Sequence, residues 1–132
     1  MFDELKKYGK KGHFIFLKGN NLVGVGKDVP EFPGVYYIIR LANRNVDLVF
    51  MGKSGLKASS GEKEDSLLKQ SINLKQELLD VKMSEANIDG LDIYWFVTMD
   101  QDHHDLPDYA LGLIMQNFYK VYGRFPEWNA ED

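Results

Sequence analysis

Several stretches of this 132-residue chain bring together residue types that can do chemistry. Asp100-Gln101-Asp102-His103-His104-Asp105 carries carboxylates and imidazoles, the donors a transition metal takes. Adjacent residues rarely converge on one ion, so the better reading is a solvated turn with an aspartate available for capping. Gly52-Lys53-Ser54 is similar to the end of a phosphate-binding loop, but the first glycine of that motif would fall at Asp47. Gly24-Val25-Gly26 has no helix signal behind it and is not a phosphate loop. Ser54, with its histidines distant in sequence, forms no identifiable triad. Tyr36 has two readings: an ionisable hydroxyl available for acid–base work, or a half-buried strand residue whose hydroxyl meets a backbone or water partner.

The elements that must position these residues read as α/β in order. Phe2, Leu5 and Tyr8 are spaced for a short helix ended by Gly9 and Gly12, and His13–Leu17 is an apolar run consistent with a strand. Residues 19–33 are rich in glycine and proline and read as loop. Val35–Leu41 and Val46–Met51, joined by the polar Asn43-Arg44-Asn45, read as an antiparallel hairpin. Residues 55–61 are polar and read as flexible. Residues 62–82 read as a helix with Leu67, Leu68, Ile72, Leu78, Leu79 and Val81 roughly on one side. Leu91–Met99 is the strongest strand, and a last helix starts near Pro107 and runs to Tyr122 with Gly123 as its cap.

Composition bounds the function. The hydrophobic share is 44% and the charged share 27%, ordinary for a globular protein. No apolar run approaches membrane-spanning length and no signal peptide is evident, so a cytoplasmic location without membrane contact is expected. With no cysteine, disulfides, thiolate metal sites and a cysteine nucleophile are excluded. Residues 1–27 carry six lysines against Asp3 and Glu4, whereas the whole chain has a formal net charge of −4. Nucleic-acid binding would have to use this basic N-terminal segment and is not favoured by the overall charge.

Three motifs carry a family resemblance. Gly34-Val35-Tyr36 and Phe50-Met51-Gly52, on the two hairpin strands, resemble the two blocks that name the GIY-YIG nuclease superfamily. Pro126-Glu127-Trp128-Asn129 is similar to the proline and asparagine that follow the last helix in many members. The resemblance covers about residues 33–129, with residues 1–32 as an N-terminal extension of a single domain. It implies an α+β fold: a small central antiparallel sheet of about three strands flanked by helices.

The resemblance also implies a chemistry, phosphodiester cleavage by water. It assigns roles to a tyrosine, an arginine on the helix after the second block and a metal-binding glutamate on the last helix. Tyr36 matches the first tyrosine and Asn129 the asparagine. Phe50 stands at the second tyrosine, keeping the ring and losing the hydroxyl. No arginine lies between positions 45 and 123; Lys69, with Asn73 one turn on, is the nearest analogue and cannot grip phosphate bidentately. The glutamate's place falls within Leu111–Asn117, where nothing is anionic, and Asp108 lies about a turn too early.

Each loss is large: about 10²–10³ in rate for an electrostatic stabiliser and roughly 10²–10⁴ for acid–base help. Two function classes follow. The first is a non-catalytic module with no cofactor, binding protein in preference to nucleic acid. The second is an atypical Mg²⁺- or Mn²⁺-dependent nuclease using Tyr36, Lys69 and a carboxylate such as Asp108. Aromatic residues crowd the C-terminal third, from Tyr94 to Trp128. Most serve as core, but some must lie near the outside, where they could stack bases or anchor a protein partner.

Overall fold

The computed structural model describes residues 2–42, 45–56 and 67–129, with the backbone alone at Ala42 and Asn45. Its sheet has four strands: β1 (Lys11–Leu17), β2 (Gly34–Ala42), β3 (Asn45–Lys53) and β4 (Gly90–Val97). Their order is β1-β4-β2-β3 and every neighbouring pair is antiparallel. The α+β class is as expected, but the count of about three strands is corrected to four. The added strand comes from the segment read as an extension, because the apolar run at 13–17 finds a full partner in β4.

The sheet separates two cores. On one face Tyr36, Ile38, Leu91, Ile93 and Val97 pack with α1 (Leu22–Val25), α2 (Leu68–Asn73) and α3 (Gln76–Ala86). On the other face Val35, Tyr37, Ile39, Leu48, Met51 and Phe96 pack with α4 (Pro107–Tyr122) and with Phe2, Leu5 and Tyr8. Alternating side chains along each strand produce this division. A bulge refines it: Ile38 pairs with Phe50 and Ile39 with Leu48, leaving Val49 as the extra residue. Val49 and Phe50 therefore both enter the first core.

The expected hairpin is present as β2 and β3, while Asn43 and Arg44 of its turn lie outside the described residues. The last helix keeps its expected bounds, with Gly123 capping it at φ 68°. The helix expected over 62–82 is corrected to α2 and α3, residues 57–66 lying outside the described residues. The break follows Asn73, a poor helix former. It lets Gln76 reach back to α1, accepting from Leu22 N at 2.7 Å and donating to Asn20 O at 3.0 Å. The loop over 19–33 contains the single turn α1, capped by Asn21 Oδ1 accepting from Val23 N. The N-terminal helix is only one 3-10 turn, Asp3–Leu5. The last strand ends at Val97 rather than Met99, which instead bridges His104.

The Asp100–Asp105 stretch is a turn, as expected: Asp100 Oδ1 accepts from Asp102 N and His103 N. Its last residue ties down the N-terminus. The buried Tyr8 donates its hydroxyl to Asp105 Oδ2 at 2.6 Å, and Lys7 Nζ lies 2.6 Å from the same oxygen. Lys7, then Tyr8, hold the Asp105 carboxyl below its usual range, while burial and Asp105 push the Tyr8 hydroxyl up. A depressed carboxyl stabilises the fold above its unfolded value and loses that contribution as pH falls through the folded one. In Asp105→Asn, unfolding followed from pH 7 downward should show a flatter acid limb below about pH 4 than the parent. An unchanged limb would contradict the tie. Among the described residues no helix is long and apolar enough to cross a membrane.

Candidate functional site

Tyr36 and Gly52 sit directly opposite each other on β2 and β3. The tyrosine ring lies over the glycine so closely that a Cβ at position 52 would be 2.4 Å from Tyr36 Cζ and 2.5 Å from its hydroxyl. Tyr36 is only 1% exposed, inside the first core. Gly34 is equally constrained, since a Cβ there would lie 2.1 Å from the Phe96 carbonyl oxygen. Both motif glycines thus have packing reasons. Phe50 is 3% exposed, 6.1 Å from the Tyr36 ring, with the Lys75 ammonium 5.3 Å from its own centroid.

The remaining sequence candidates are spread over the fold. Lys69 Nζ donates to Lys27 O at 3.0 Å, toward the loop before β2. Lys53 pairs with Asp108 at 3.0 Å on the α4 side. In the stretch Leu111–Asn117, Leu111, Ile114 and Met115 pack in the second core, across the sheet from Tyr36. The structure therefore brings Tyr36, Phe50 and Gly52 together and leaves Lys53, Asp108 and the middle of α4 on the other face. Among the described residues no group of three or more histidines and carboxylates could hold a metal ion. Asp108 is engaged by Lys53 across the sheet, so it supplies no anionic oxygen beside Tyr36.

Asn129 does something else. Its Oδ1 accepts from Met51 N at 2.8 Å and its Nδ2 donates to Met51 O at 2.9 Å. Trp128 N donates to Val49 O at 2.9 Å, and the Trp128 ring is buried in the first core. β3 is an edge strand, and these bonds occupy the outward backbone groups of Met51 and the Val49 carbonyl as a further strand would.

The opposite edge is different. Lys18 N bonds Asp89 O and Val97 N bonds Lys10 O, each at 2.9 Å. Antiparallel alternation then turns Lys10, Gly12, Phe14 and Phe16 toward β4, and Lys11, His13, Ile15 and Leu17 outward. Asn20 satisfies Leu17 alone, its Oδ1 accepting from Leu17 N and its own N–H reaching Leu17 O. Among the described residues no partner meets the outward backbone groups of Lys11, His13 and Ile15. Sequence reading missed this edge, because it follows from the strand order β1-β4-β2-β3 and not from the Lys11–Leu17 segment itself.

Beside the open edge lies a cavity of about 330 Å³. Its floor is aromatic: His13 stacks on Tyr94 at 4.7 Å and Tyr94 on Tyr37 at 5.0 Å. Burial first, then Tyr94 and Asp92, push the Tyr37 hydroxyl up to about 12. Lys6 and Lys11 stand among the lining residues. His13 Nδ1 is 2.8 Å from Asp92 Oδ1, which fixes the ring. Ile15 and Leu17 are 42% and 52% exposed, so α4 and the N-terminal turn leave this half of the face uncovered. No family model, curated protein or solved structure matches the chain.

Proposed function

We propose that this chain is a non-catalytic module that binds a protein partner, built on a GIY-YIG-like scaffold. The observation that carries the reading is the burial of Tyr36 over Gly52. A tyrosine that activates water must present its hydroxyl to that water and to the phosphate, within hydrogen-bond reach. Here the ring is core, and the middle of α4 lies beyond the sheet. The Asn129 amide is engaged twice by the Met51 backbone, and Phe50 packs in the core without a hydroxyl to offer. The binding surface is the uncovered β1 half of the second face, with its aromatic cavity and open strand edge.

The test is cleavage. Supercoiled plasmid and single-stranded DNA are incubated with the full chain and Mg²⁺ or Mn²⁺, alongside Tyr36→Phe. No cleavage above the metal-only background is expected from either protein. Metal-dependent cleavage that disappears in Tyr36→Phe would overturn the reading in favour of an atypical nuclease.

A further inference from the structure

We propose that the free edge of β1 takes an extended acidic peptide segment of another protein as a fifth strand, with one apolar side chain of that segment seated in the cavity beside His13. This rests on the binding-module reading above and names its partner. An unpaired strand edge is a template for a further strand, and proteins commonly cover or charge such edges. Here the β3 edge is partly covered, while among the described residues nothing meets the outward groups of Lys11, His13 and Ile15 on β1. Trp128 and Asn129 occupy Val49 and Met51 on β3, whereas Lys11, His13 and Ile15 present three consecutive outward N–H and C=O pairs.

Side chains select the occupant. A strand added to β1 places alternate residues on the face that carries Lys11, His13 and Ile15, directly opposite or diagonal to them. The cavity opens on this face, with the His13–Tyr94–Tyr37 stack as its floor, and its volume is at the small end for ligand pockets. An apolar side chain of the added strand fits this chemistry. The charge at the rim is basic. Lys11 has no ion pair among the described residues, and the Lys6–Asp3 pair is almost fully exposed and holds Lys6 weakly. The nearby Asp92 is already engaged by His13. Acidic residues in the added strand meet Lys6 and Lys11. Self-pairing of β1 would instead bring together two N-terminal segments of the same positive sign.

The test uses the full chain and a fluorescein-labelled peptide of alternating Glu and Val with a central Phe, beside the same peptide with Lys for Glu. Saturable anisotropy change at low salt is expected for the acidic peptide, with affinity at least about tenfold weaker for the basic one. Ile15→Pro removes an outward N–H and no bond to β4, and should weaken binding at least about tenfold, Ile15→Ala less. Should Ile15→Pro unfold, Lys11→Glu, an exposed change, carries the same expectation of about tenfold loss. Equal binding of the two peptides, or no binding of the acidic one, overturns the proposal. So does a chain dimer that Ile15→Pro disperses, or chemical-shift changes that avoid Lys11–Ile15. Metal-dependent DNA cleavage would instead overturn the underlying binding-module reading, and it is scored in a separate assay.

Discussion

Gly34→Ala should lower the unfolding free energy by about 3 kcal/mol, measured as a shifted denaturant midpoint at unchanged slope. The methyl carbon would stand 2.1 Å from the Phe96 carbonyl oxygen and 2.7 Å from Leu68 Cδ1. A side-chain end can swing aside. The Phe96 oxygen cannot, because it belongs to the backbone of β4 alongside β2. Relief therefore requires the two central strands to part, and both cores are built on them. Gly112→Ala is the control: a Cβ there meets nothing within 4 Å, on an exposed turn of α4, and alanine should stabilise by up to about 1 kcal/mol. Similar losses in both variants would contradict the close approach at Gly34.

Asn129→Ala should cost about 2–3 kcal/mol in the same measurement. It removes two hydrogen bonds and leaves the N–H and C=O of Met51 without partners beside a residue that is 1% exposed. Asn129→Asp distinguishes an edge clamp from simple volume. A carboxylate still accepts from Met51 N but faces Met51 O as a second acceptor, where the amide had donated. At neutral pH it should be nearly as destabilised as alanine. Its carboxyl, pushed up by that oxygen, regains a donor as pH falls through its folded value, so stability relative to the parent should rise on acidification. A pH-independent difference would mean that Asn129 acts by packing alone.

What the sequence made legible follows from how local each signal is. The hairpin, the strong strand at 91–97 and the last helix rest on periodicity and caps within a few residues, and they stand almost where expected. The fourth strand was visible as an apolar run at 13–17, but its partner β4 lies some 80 residues later, so its membership of the sheet was not local information. The split after Asn73 depends on Gln76 meeting Leu22 and Asn20, again a long-range contact. For the site, the motif residues were legible as types but not as roles. Gly34 and Gly52 read as signature glycines, and the structure gives each a specific neighbour that a Cβ would strike. Asn129 read as a family position, and it binds the edge of β3. The open edge of β1 arises from the order of the strands, which no single segment encodes.

Amide hydrogen exchange, resolved by residue with and without the acidic Glu/Val/Phe peptide, tests strand addition most directly. In the free chain, Gly12, Phe14 and Phe16 should exchange slowly through their bonds to β4, as should Met51 under Asn129, while Lys11, His13 and Ile15 exchange fast. Peptide should slow Lys11, His13 and Ile15 and leave the others as they were. Protection that falls evenly along β1, or appears elsewhere on the sheet while Lys11, His13 and Ile15 remain fast, would contradict an open β1 edge as the binding surface.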